Sequence, residues 1–99
     1  MDIQFTKFRK GELWVEGVVD KGKYSFIAKL FDDKSADLGI QGGRVSKLAI
    51  SIGAKWTGMD NCVVNYDRGW DIRPGKEYYN LFKSVLNFLE NAPKTRFQE

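Results

Sequence analysis

The chain has 99 residues, 42% hydrophobic and 14% aromatic, with 16 Lys and Arg against 13 Asp and Glu for a net charge of +3. That describes one small domain able to bury an apolar core without a metal or disulfides, with a positive balance that permits nucleic-acid contact without requiring it. No histidine and a single cysteine, Cys62, exclude a Ser-His-Asp triad, a Cys-His pair, an imidazole base, His-ligated zinc or haem, an internal disulfide and, within one chain, cysteine-rich zinc or iron–sulfur centres.

Residues 3–8, IQFTKF, alternate so that Ile3, Phe5 and Lys7 share one face and Gln4, Thr6 and Phe8 the other, which predicts a strand. RKGE reads as a turn. In residues 12–20, ELWVEGVVD, Leu13, Val15, Gly17 and Val19 fall on one face and Trp14, Glu16 and Val18 on the other, a second strand. The DKG turn at 20–22 gives Gly22 a positive-φ position and leads into KYSFIAKLF. There Tyr24, Phe26, Ala28 and Leu30 form a core-like face, with Lys23, Ser25, Ile27, Lys29 and Phe31 opposite.

The longest connection, DDKSADLGIQGGR at 32–44, loses periodicity and is expected to be exposed. Residues 45–52, VSKLAISI, return to a strand with Leu48, Ile50 and Ile52 inward and Lys47 and Ser51 outward. After GAKWTGMDN comes a fifth strand, CVVNY at 62–66, with WDI a short candidate sixth. Within YDRGWD, Gly69 is expected to take a positive-φ turn position while Tyr66 and Trp70 pack between sheet and helix. From Lys76 to Asn91 the period changes: Tyr78, Leu81, Phe82, Val85, Leu86 and Leu89 recur at spacings of three and four. That predicts a helix over about 75–91, bounded by Pro74 and Pro93, followed by a frayed tail at 93–99. The expected fold is a single α+β domain spanning 1–99: an antiparallel sheet of about five strands within 3–72 and one long C-terminal helix packed on one face.

Three clusters invite a functional reading. DDKSADLG places Asp32, Asp33 and Asp37 within six residues, yet lacks the alternating ligands, glycine and terminal glutamate of a calcium loop; a solvated acidic turn is the simpler reading, with no metal expected. GIQGGRVSK joins three glycines to Arg44 and Lys47. It has neither Walker spacing nor a following helix to hold a phosphate, so Gly42-Gly43 reads as a bend into the fourth strand. Asp67 and Asp71, or the acidic loop, could serve a small carboxylate enzyme, but no catalytic set and no cofactor are expected.

The third cluster mixes aromatics with cations on the sheet faces, where Phe8, Trp14, Phe31, Trp56, Tyr66 and Trp70 lie among basic residues. If one helix covers one face, the other stays open, and bases stack on aromatic planes while Lys and Arg follow phosphates. The candidate binding residues are Trp14, Lys29, Phe31, Arg44, Lys47, Lys55, Trp56 and Arg68, for single-stranded nucleic acid or a protein partner. A homodimer closing the same face, with a structural or regulatory role, is the alternative. The start of the chain carries no basic segment leading into an apolar run, and no apolar stretch is long enough to span a bilayer; a cytoplasmic, non-membrane protein is expected.

FIAKLFDDKSADLGIQGGRVSKLAI followed by VNYDRGWD resembles the central part of small uncharacterised proteins of Gram-positive bacteria and their mobile elements. The resemblance implies a family of unknown function and no activity. In layout alone, a sheet followed by one helix is also similar to single-strand-binding transcription cofactors.

Overall fold

The computed structural model describes residues 1–94. Six strands, β1 (Ile3–Lys7), β2 (Trp14–Val19), β3 (Tyr24–Leu30), β4 (Val45–Ile52), β5 (Cys62–Asp67) and β6 (Trp70–Ile72), form one antiparallel sheet in sequential order. The helix α1 (Tyr79–Glu90) packs on one face of it. The α+β layout is the expected one, with the short WDI segment completing a sixth strand. The tail expected at 93–99 lies, from residue 95 onward, outside the described residues. Among the described residues no helix is long and apolar enough to cross a membrane.

Alternation decides which side chains meet the helix. Val15 and Val19 of β2, Phe26, Ala28 and Leu30 of β3, Leu48 and Ile50 of β4, and Val64 and Tyr66 of β5 are buried with Leu81, Phe82, Val85, Leu86 and Leu89 of α1. Burying one large aliphatic or aromatic side chain is worth about 1.5–3 kcal/mol, so this cluster dominates folding. Gly17 sits opposite Phe26 in the ladder, and a Cβ there would run into the Phe26 ring and the Gln4 carbonyl. The missing side chain leaves the space that the Phe26 ring fills.

One bulge redirects two residues. In β1 the register slips between Phe5 and Lys7, so Lys7 pairs with Glu16 on the open face rather than sharing the face of Ile3 and Phe5. Phe8, expected on the open side, is buried and stacks on Phe5 at 4.2 Å between centroids. An extra residue in one strand of a pair flips all that follows, which a strict period of two cannot reveal. Ile52, expected inward, is exposed at the final position of β4.

Helix α1 begins later than the periodicity suggests. Lys76–Tyr78 form a single 3-10 turn, and Tyr78 has φ −110° and ψ 2°, outside helical values. At the other end Asn91 caps the helix, its amide side chain donating to the Asn87 carbonyl at 2.8 Å. The stronger fastening lies one residue earlier. The Glu90 carboxylate accepts the Arg44 backbone N–H at 2.8 and 3.0 Å. In return the Arg44 guanidinium donates to the backbone carbonyls of Glu90, at 3.0 Å, and Ala92, at 2.8 Å, and its Nε to that of Phe31 at 2.8 Å. The second half of the 32–44 connection is therefore not an exposed loop: Gly39, Ile40, Gly43 and Arg44 are buried.

Gly43 is required by this exchange. Its φ of −94° suits any residue, but a Cβ would occupy the space of the Glu90 carboxylate. Glu90→Ala is expected to lower stability in urea titration by about 2 kcal/mol, the scale of charge-assisted hydrogen bonds to a buried donor. Gly43→Ala is expected to cost about 1–3 kcal/mol through overpacking. With the carboxylate gone the clash is gone too, so the double variant should fall short of the sum by about 1 kcal/mol. Full additivity would show that the two residues do not meet.

Candidate functional site

The face of the sheet away from α1 carries three cross-strand rows. Trp14, Lys29, Lys47 and Asp67 stand opposite one another across β2 to β5; Glu16, Ile27, Ala49 and Asn65 form the next row; Val18, Ser25 and Ser51 the third. Residues up to 53 positions apart in the chain (67 − 14) thus share one row, because successive strands lie under 5 Å apart and alternate residues share a face.

A groove of about 220 Å³ opens on this face, lined by Trp14, Ile27, Lys47, Ala49, Asn65 and Asp67 together with Trp56. Trp56 belongs to no strand. It is carried there by the β4–β5 connection, which Asn61 folds back: its amide donates to the carbonyls of Ile52 at 2.9 Å and Lys55 at 3.2 Å, and its Oδ1 accepts the Thr57 N–H at 3.3 Å. Trp14 is 42% exposed and Trp56 37%. Both indoles are too open for core residues and too enclosed for free surface ones.

Lys47 organises the rim. Its ammonium lies 3.4 Å from Asp67 Oδ1 and 5.7 Å from the centroid of the Trp14 ring. Such a cation fixes the pose of an indole while neutralising a carboxylate, each contact being modest near water. Arg68 approaches the same carboxylate at 3.9 Å.

The structure therefore gathers Trp14, Lys47 and Trp56 at one groove, with Lys29 in the same row, Arg68 at the rim and Lys55 exposed in the connection that holds Trp56. Phe31 lies apart. Its ring is 5.5 Å from the Lys29 ammonium and lines a separate depression with Leu13 and Leu38. Arg44 does not belong: at 6% exposure it is an internal clamp on the helix end, so the expected surface cation is absent. Ile27, Ala49 and Asn65 were missed by composition and follow only from the strand register.

In the YDRGWD corner Tyr66 and Trp70 pack between sheet and helix, as expected, while Asp67 turns to the groove and the turn geometry differs. Trp70 packs edge-on between Tyr66, at 5.2 Å, and Phe82 of α1, at 5.3 Å, and the Tyr66 hydroxyl donates to the Leu38 carbonyl at 3.3 Å. The positive φ falls on Arg68, at 56°, and not on Gly69. Asp32, Asp33, Asp37 and Asp71 all lie in solvent. Among the described residues no group of three His, Cys, Asp or Glu side chains converges as a metal site would.

Cys62 is buried and its thiol lies 3.1 Å from the Val64 carbonyl. Burial disfavours the thiolate and pushes the thiol above its ordinary value of 9.0. The folded protein thus holds this proton to higher pH than the unfolded chain. The contribution to stability is complete below the unfolded value and lost as pH rises through the folded one. Iodoacetamide at pH 8 is expected to alkylate Cys62 slowly in the native protein and rapidly in urea, with equal rates contradicting the burial.

No curated protein and no solved structure matches the chain. A family model described as a domain of unknown function, DUF7678, matches residues 13–90, from the last residue before β2 to the last residue of α1. With most of its length so matched, the chain belongs to the DUF7678 family, a family of unknown function.

Proposed function

We propose that the protein is a non-enzymatic binding module that holds single-stranded nucleic acid on the open sheet face. The observation that carries the reading is the pair of half-exposed indoles, Trp14 and Trp56, lining one groove on the face that α1 leaves uncovered. At about 220 Å³ the groove is smaller than the ~300–1,000 Å³ of small-molecule sites, which suits one ring of a longer ligand better than a whole cofactor. Lys29, Lys55 and Arg68 around it supply cations for phosphates. The non-enzymatic reading is supported by the solvated carboxylates and by Asp67 being paired with Lys47. The proposal extends to a cytoplasmic location and to the Gram-positive bacteria and mobile elements that the resemblance implies.

A homodimer closed over the same face is the second reading, favoured by Val18 and Ile27, which lie partly buried on the face that carries Trp14. It would cover both indoles. A dimeric mass in light scattering together with no oligonucleotide binding would select it.

Anisotropy of a fluorescent 12-nucleotide single strand tests the main reading. Three phosphate contacts predict an affinity loss of roughly 20-fold between 50 and 200 mM salt. Trp14→Ala and Trp56→Ala should each weaken binding about tenfold, the scale of one base–aromatic stack. No binding at low salt would remove the reading.

A further inference from the structure

We infer that the Trp14–Trp56 groove recognises guanine, with Asp67 and Lys47 reading the edge of the base; the inference rests on the single-strand reading above. The size of the groove, about 220 Å³, suits one planar ring, and its rim offers a particular pair of groups. Lys47 Nζ and Asp67 Oδ1 stand 3.4 Å apart, and both side chains line the groove and remain partly exposed, at 28% and 49%. An ammonium only donates hydrogen bonds and an ionised carboxylate only accepts them.

This pair first decides against a cationic ligand. Two indoles with a carboxylate would otherwise suit a quaternary ammonium group. Lys47 already occupies that role: its own cation rests on the Trp14 ring and on Asp67. A second cation would meet the like charge of Lys47, whereas a neutral planar ring would not.

Among the bases, guanine matches an acceptor-only group beside a donor-only group best. Its pairing edge presents two adjacent donors, the ring N1–H and the exocyclic N2 amino group, for the two oxygens of one carboxylate. The O6 acceptor follows immediately, on the side where an ammonium can reach it. Adenine and cytosine present one exocyclic amino group next to ring acceptors and can engage the carboxylate through a single donor. Uracil and thymine set their one N–H between two carbonyl oxygens, which a carboxylate repels. Bidentate recognition of a base edge discriminates by about tenfold or more.

The test compares three strands by anisotropy with the intact protein: a 12-nucleotide uridine tract, the same tract with one central guanine, and the same with inosine in place of guanine, each in ribo and deoxyribo form. Guanine should tighten binding about tenfold over the uridine tract, and inosine, which lacks only the N2 amino group, should recover less than half of that gain on a logarithmic scale. A preference in either sugar form supports the inference, since the base edge is common to both. Asp67→Ala separates base reading from simple electrostatics. Removing a carboxylate that merely repels phosphates would raise affinity for all strands alike, whereas removing one that reads guanine should cut the guanine preference below twofold and leave the uridine tract bound at least as tightly. Equal affinity of the wild-type protein for all three strands, or an equal gain for all of them in Asp67→Ala, would overturn the guanine assignment and leave the single-strand reading standing. Absence of binding to every strand would overturn both. The inosine comparison changes only the ligand, so it decides the matter even if Asp67→Ala folds poorly.

Discussion

The reciprocal exchange between Arg44 and Glu90 is the contact on which the arrangement of the molecule depends. Apolar burial supplies most of the folding free energy, but it has no direction: the stripe of Leu81, Phe82, Val85, Leu86 and Leu89 could slide along the greasy face of the sheet at little cost. The exchange is directional. A carboxylate on the last turn binds the backbone at the start of β4, and the guanidinium beside that backbone binds the carbonyls that end the helix, with a third bond to the end of β3. It joins three elements at one point and matches the charge of an arginine to the negative end of the helix dipole. Gly43 is the steric condition for it.

Fastening the helix at one end also determines what it leaves bare. With α1 held across the inner face, the rows Trp14–Lys29–Lys47–Asp67 and Glu16–Ile27–Ala49–Asn65 have, among the described residues, no protein layer above them except the connection that bears Trp56. That connection is not loose packing: Asn61 closes it with three hydrogen bonds. Arg44 is consumed internally and Lys47 is neutralised by Asp67, so the face is only mildly basic. The proposed single-strand binding would therefore draw on stacking and edge recognition as well as on phosphate contacts.

The C-terminal half of the sheet shows how one short segment serves both sides. Tyr66 and Trp70 point to the helix and close the core against Phe82, while Asp67 between them points to the open face and faces Lys47. Arg68 takes a left-handed conformation that glycine adopts more easily. Its backbone N–H donates to the Ser46 carbonyl at 3.0 Å and that of Asp67 to the Gly69 carbonyl at 2.8 Å, which hold the turn.

Periodicity carried most of the architecture. The alternation in residues 12–30, the change to a helical period after Pro74, and the absence of histidine follow from side-chain identity and local geometry, and they determined the fold class, the helix face and the chemistry left out. Other features depend on partners far along the chain. The bulge that buries Phe8, the recruitment of Arg44 by Glu90, the positive φ at Arg68 rather than Gly69, and the placement of Trp56 beside Trp14 each result from pairing or packing between distant segments. By itself the sequence determined which residues are apolar, in what rhythm, and that one sheet face would lack a helix. Only the tertiary structure decided which of its aromatic and charged residues meet there, because register and loop closure are set by contacts that no local pattern encodes.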